Sequence, residues 1–511
     1  MSEVSIKNTR IAKNVLVLYA RMLLLMLVSL YTSRVVLNAL GVEDYGIYNV
    51  VGGVVSMFSI LSGSLTAAIS RFITFELGKG DVEKLKKVFS TAVNVQLMLI
   101  VIIVLLLETI GLWFLNYKMV IPESRLIAAN WVYQCSVITF AINLWSVPYN
   151  ATIIAHEKMS AFAYIGIFDA VAKLLISLLI IFNPIDRLIF YGILVLLVGI
   201  IQRFMYKLYC KRHFEETQYH FKYDKEVTKE LFNFAGWNFI GASSAVLRDQ
   251  GGNILINIFF GPTVNAARGI AMTVNTALTS LVQNFTTAIN PQITKSYANN
   301  DREYCLKLIF LGARIILYLM LFFCLPIIFE TDYILEIWLQ KVPNYSVSFT
   351  RLVLVYTMVE AISYPMVTLM LATGNIKRYQ IIVGGCQMLN LPLAYMALKL
   401  GASAESVFEV SIAIATCCMF LRLHMLKKML NFPTLAFLKH VYLNVLLVAI
   451  VSIPLPLFTK YNLEESLFRA IVVSSVSLIC TFLSIAFIGC TKDERKKYST
   501  MALMFLKSKL K

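Results

Sequence analysis

The sequence predicts an all-α, polytopic membrane protein with fourteen transmembrane helices, built as two pseudo-symmetric six-helix lobes plus an appended helix pair. Three observations carry this prediction. The 511-residue chain is 59% hydrophobic and 15% charged, with a mean hydropathy of +0.73, whereas soluble chains carry about 25% charged residues. Apolar runs near the spanning length of about 20 residues recur from end to end. The second half of the chain also repeats the first at an offset near 220.

The apolar runs place spans near 15–38, 46–70, 89–115, 125–147, 160–182, 188–208, 232–259, 264–290, 308–328, 350–372, 379–398, 405–424, 437–458 and 467–489. The basic N-terminus (Lys7, Arg10, Lys13) leads into a first run too long for a signal-peptide core, so an uncleaved span is expected there. With that terminus inside, the inner segments hold 32 of the 46 Lys and Arg residues, the outer loops 7, and the spans and their edges 7. This is the bias of the positive-inside rule, and it puts both termini in the cytoplasm. It also accounts for the net charge of +17 without a nucleic-acid partner.

The domain boundaries follow. Residues 1–210 form the N-terminal lobe, 211–230 a cytoplasmic inter-lobe linker, and 231–430 the C-terminal lobe. Residues 431–511 hold spans 13 and 14 and a basic tail, "KDERKKYSTMALMFLKSKLK", expected to lie on the inner membrane surface. Nine scattered cysteines and five separated histidines offer neither a disulfide framework nor a metal cluster, so no cofactor is expected. The outer loops are too short for a folded catalytic domain, which argues against an enzyme.

The repeat is collinear. At an offset of 220, Gly41 falls on Gly261, Leu61 on Leu281, Ala68-Ile69 on Ala288-Ile289, and Asp81, Glu83 and Lys87 on Asp301, Glu303 and Lys307. At 217, Pro148 falls on Pro365 and Ala155 on Ala372. An even number of spans per copy makes both copies cross in the same sense, about an axis along the membrane normal. Transporters built this way bind near the midplane, between the repeats.

Span eight carries a polar stripe. At about 100° per residue, Arg268, Asn275, Thr279, Gln283, Thr286 and Asn290 share one face. Span seven adds Arg248, Asp249, Gln250, the pair Gly251-Gly252, Asn253 and Asn257, and span one holds Arg21 and Arg34 without an acid. A charge at the bilayer centre costs roughly 2.5–3.5 kcal/mol, which disfavours a lipid-facing place. The bland alternative is snorkelling for Arg268, Arg21 and Arg34, and structural neutralisation for Arg248 with Asp249. Cations accompanied by amides and hydroxyls suit an anion bearing many hydroxyls. Guanidinium groups grip phosphate bidentately. The expected substrate is therefore a polyprenyl-diphosphate-linked oligosaccharide, bound through Arg268, Arg248, Arg34, Arg21, Asn275, Thr279, Gln283, Asn253 and Asn257. The rival is a proton- or sodium-coupled drug exporter, for which Asp249, Asp169 and Glu360 supply the acids.

The stretches "RVVLNALGVEDYGIYNVVGG" (34–53), "FAGWNFIGASSAVLRDQGGNILINIFFGPTVNAARGIAMTVN" (234–275) and "NFTTAINPQITKSYANND" (284–301) resemble the Wzx-like polysaccharide-biosynthesis branch of the MOP exporter superfamily, which also holds the MATE drug exporters and the lipid II flippases. The resemblance implies an alternating-access transporter of the bacterial inner membrane. It would flip undecaprenyl-diphosphate-linked O-antigen or capsule repeat units, with a polysaccharide polymerase and glycosyltransferases as partners beside membrane lipids. It also implies a cationic cavity, for which Arg268 and the arginines of span one are the matching positions. The acid that many drug exporters have in their first span is absent here.

Overall fold

The computed structural model describes residues 26–58, 69, 72–73, 76–77, 82–156, 158–182, 186–219, 224–373, 376–490 and 494–495. Arg21 lies outside them, as does most of the basic tail. Among the described residues, all regular structure is helical. In chain order the helices are α1 (Met26–Leu40), α2 (Val42–Ser56), α3 (Val82–Tyr117), α4 (Leu126–Ala155), α5 (Met159–Leu179), α6 (Arg187–His213), α7 (Lys225–Phe260) and α8 (Pro262–Ala298). There follow α9 (Arg302–Phe329), the short α10 (Thr331–Leu339), α11 (Ser346–Ala361), α12 (Tyr364–Ala372), α13 (Lys377–Lys399), α14 (Ser406–Leu430), α15 (Thr434–Asn462) and α16 (Leu467–Gly489). Among the described residues, nine helical stretches are long and apolar enough to cross a membrane: α3, α4, α6, α9, α11 with α12, α13, α14, α15 and α16. The chain is a multi-pass membrane protein. α7 and α8 are longer still, at 36 and 37 residues, but their polar residues keep them outside that set.

The described residues divide into two compact units. The first takes those up to Thr273, with 343–345 and 387–407; the second takes 274–342, 346–386 and those from Phe408 onward. The division falls inside α8, whereas the sequence reading put the lobe boundary at 211–230.

In the first unit the core gathers Phe89, Tyr133, Leu144 and Ile153 from α3 and α4, with Val50 and Val54 from α2. α2 also comes close to α7 and α8. Gly46 makes this possible, since a Cβ there would stand 1.8 Å from the carbonyl oxygen of Pro262. A wide π turn at Leu107–Gly111 interrupts α3. The buried Tyr133 hydroxyl donates to the Leu107 carbonyl at 2.7 Å, which satisfies a group the irregular turn frees. At one rim, Arg125 bridges two acids. Its guanidinium donates to Asp44 at 2.6 and 2.7 Å and to Asp186 at 2.6 and 3.1 Å. Asp186 caps α6 by accepting from the backbone N–H groups of Leu188 and Ile189 at 3.0 and 3.2 Å. Arg125 holds the Asp186 carboxyl below the usual carboxylate range. Burial pushes Asp44 upward and outweighs the same arginine.

In the second unit the core is built on Ile309, Leu317 and Leu321 of α9, Met366 and Met370 of α12, and Phe437 and Val441 of α15. Arg469 at the start of α16 reaches the buried carboxylate of Glu330 at 3.0 Å.

The duplication is visible in the backbone. Gly41 links α1 to α2 with φ of 84°, and Gly261 links α7 to α8 with φ of 78°. Both positions favour glycine.

Candidate substrate-binding site

The cationic site of the first unit is assembled by α7 and α8. Arg268 is buried at 8% exposure. Its Nη2 donates to the backbone carbonyl of Asp249 at 2.6 Å. Gly252 lies beside this group, where a Cβ would be in ordinary contact with that nitrogen at 3.6 Å and closer, at 3.2 Å, to a Val407 methyl. The Asp249 carboxylate is in turn occupied by its neighbour, with Arg248 Nε at 2.8 Å and Nη2 at 3.3 Å. Two guanidiniums and one carboxylate thus sit together among the described residues. Arg248 and Asp249 remain half-buried, so this edge of the cluster is within reach of a ligand. Arg34 on α1 is also half-buried.

Asn253 and Asn257 are held otherwise than the sequence suggested. Asn257 is fully buried. Its amide clasps Val120, accepting from the backbone N–H at 2.9 Å and donating to the carbonyl at 3.3 Å. Asn253 donates to the carbonyl of Asn49 on α2 at 3.1 Å and accepts from Asn265 at 3.1 Å. Both amides are engaged by backbone groups and neighbouring helices.

The lower part of the α8 stripe belongs to the second unit. Asn275, Thr279, Thr286 and Asn290 are half-buried and Gln283 is exposed. Asn275 accepts from the Thr357 hydroxyl of α11 and, at 3.3 Å, from Thr279. One segment later, Asn290 accepts from Thr368 of α12 at 2.7 Å. The stripe therefore joins α8 to α11 and α12 by Asn–Thr bonds. The sequence reading found the asparagines and missed Thr357 and Thr368, because a threonine in an apolar run carries little polar signal.

Each acid nominated for ion coupling has a basic neighbour. Asp169 accepts from Lys173 at 2.8 Å. Asp249 is taken by Arg248, and Glu360 accepts from Arg422 at 3.2 Å. Arg422 and Arg203 were counted with the inner loops in the sequence reading. The structure corrects this: both lie within helices, α14 and α6, and are 2% and 7% exposed. Arg422 also donates to the Tyr379 hydroxyl at 3.4 Å. Arg203 stacks over Tyr149 and Trp145, at 4.1 and 4.6 Å from their ring centres. A signal did exist, since the two arginines are 219 residues apart, close to the repeat offsets of 217 and 220.

Residues 11–298 match the family described as polysaccharide biosynthesis protein. The chain belongs to this family. No curated protein matches it. Among solved structures, it is similar to the lipid II flippase MurJ in an inward closed conformation, at 13% identity and a TM-score of 0.68, covering 92% of this chain and 98% of that one. It is also similar to an inward-facing multidrug resistance MATE family transporter of the MOP superfamily, at 12% identity and a TM-score of 0.67, covering 81% and 96%. A MOP superfamily transporter from Pyrococcus furiosus, whose structure is titled for the reverse polarity of its binding pocket, aligns at 13% identity and a TM-score of 0.58, covering 79% and 93%. The polysaccharide biosynthesis protein thus has the fold of the MOP superfamily transporters.

Proposed function

We propose that this polysaccharide biosynthesis protein is an alternating-access flippase. It moves a polyprenyl-diphosphate-linked oligosaccharide, an O-antigen or capsule repeat unit, across the bacterial inner membrane without covalent chemistry. The observation that carries the reading is the cluster of Arg248, Arg268 and Asp249 on α7 and α8. It brings two guanidiniums together on α7 and α8, in a family described by polysaccharide biosynthesis. A diphosphate matches them by paired hydrogen bonds from guanidinium N–H groups. Arg34 adds charge from α1. The glycosyltransferases and polymerase of the same glycan would act before and after it, and both termini would lie in the cytoplasm.

The drug-exporter reading needs an acid free to take up and release a cation, and Asp169, Asp249 and Glu360 each already face a base. A decisive experiment replaces Arg248 and Arg268 with alanine, singly and together, at matched abundance in the membrane. Hydrogen bonds to charged groups contribute about 1.5–3 kcal/mol, so each single variant should lower surface glycan roughly tenfold or more. Normal surface glycan from the double variant would remove the proposal.

A further inference from the structure

A groove within the second unit serves no part of the proposed reaction. It lies between α9 and α16 and has a volume of about 800 Å³. Its walls are apolar: Leu311, Ile315 and Phe322 on one side, Phe482, Ala486 and Phe487 on the other. Phe482 and Phe487 are 64% and 65% exposed, so the groove opens to the surroundings of the helices. One end is different. The last turn of α16 is a π turn, Ile485–Gly489. Gly489 lets it approach α9, where a Cβ would stand 2.8 Å from the Tyr318 hydroxyl. That hydroxyl donates to the Gly489 carbonyl at 3.0 Å. Arg314 pairs with Glu494 at this end. Arg495 closes it, donating to the carbonyls of Phe487 and Cys490 at 3.0 and 3.2 Å.

We propose that this groove binds one anionic phospholipid, with its acyl chains along α9 and α16 and its phosphate at Arg314 and Arg495. The charge decides between lipids. Among the described residues Arg314, Arg495 and Glu494 gather at this end, two guanidiniums to one carboxylate, which suits one phosphodiester. Basic pockets between spanning helices recognise anionic headgroups in this way, and each arginine contributes about 1 kcal/mol near the surface. Arginine also suits the place because its stem lies along apolar walls while its head reaches the polar layer. This lipid would bridge the appended helix to the lobe that carries it. The inference does not rest on the flippase reading.

The test is made on purified full-length protein in detergent. Co-purified lipid is measured by mass spectrometry after incubation with an equimolar mixture of phosphatidylglycerol and phosphatidylethanolamine. Wild type should retain phosphatidylglycerol preferentially. The preference should fall roughly fivefold for each of Arg314→Gln and Arg495→Gln. Ala486→Trp, which fills the groove and leaves the charges in place, should abolish retention while the protein still elutes as a single folded species. Equal retention of the two lipids, or a preference unchanged in all three variants, would overturn the site. Selective retention of a native polyprenyl phosphate would also overturn it, by assigning the groove to the substrate tail.

Discussion

Arg203 and Arg422 stand 219 residues apart, between the two repeat offsets of 217 and 220, and the protein keeps these two buried arginines in opposite ways. Arg422 is neutralised by the carboxylate of Glu360. Arg203 has no salt bridge among the described residues and rests on the faces of Trp145 and Tyr149. At the 217 offset, Glu360 corresponds to Asn143, an uncharged amide. The helices that present these partners differ too. α4 runs unbroken through Pro148, whereas its repeat mate is interrupted at 362–363 between α11 and α12, with Pro365 opening the second piece. One backbone position can hold a guanidinium inside a membrane protein either by opposite charge or by aromatic quadrupoles, and the first is the costlier to disturb.

Breaking the comparison on its charged side should have the largest effect. Glu360→Ala leaves Arg422 buried without a counter-charge, which costs about 3–5 kcal/mol. Thermal unfolding in detergent should show it, and adding Arg422→Met should restore most of the loss. If the single variant unfolds like wild type, the pair carries no stability.

A second break uses another mismatch between the copies. Gly46 corresponds to the fully buried Ala266 at the 220 offset, and a Cβ at Gly46 would stand 1.8 Å from the carbonyl oxygen of Pro262. Gly46→Ala should therefore cost about 1–3 kcal/mol by overpacking, measured by the same assay. A neutral result would mean that α2 and α8 separate easily.

The aromatic side should yield less. Trp145→Leu removes one cation–π contact, for a loss of about 0.5–2 kcal/mol. It should be smaller than the loss at Glu360, and the reverse order would undo the comparison.

The smallest effect belongs to the rim. Asp186 has its folded-state pKa depressed, so its stabilisation is full above the unfolded value, about 3.9. It is lost as pH falls through the lower folded value. Asp186→Asn should lower the melting temperature at neutral pH, and the gap to wild type should close under acid. A gap that stays constant with pH would show that the charge of Asp186 is not what matters.

Much of this was legible in the residues. The helical membrane class followed from hydropathy, and the duplication from collinear matches. Gly41 and Gly261 were paired by offset before their positive φ angles were seen. The α8 stripe was legible as a face, because helix periodicity is local. Its division was not: Arg268 turns to the backbone of α7 in one unit, while Asn275 and Asn290 turn to Thr357 and Thr368 in the other. The partner of Asn257 was not legible, because a buried amide on a helix looks the same whether it awaits sugar or clasps a loop.

By itself the sequence determined the membrane class, the repeat and the sign of the charge on the central helices. These are sums over segments, and hydrophobic burial and net charge add residue by residue. Which polar groups satisfy one another was decided only by the tertiary structure. Hydrogen bonds and ion pairs need a partner within about 3 Å, and those partners stand as far apart in the chain as Val120 and Asn257.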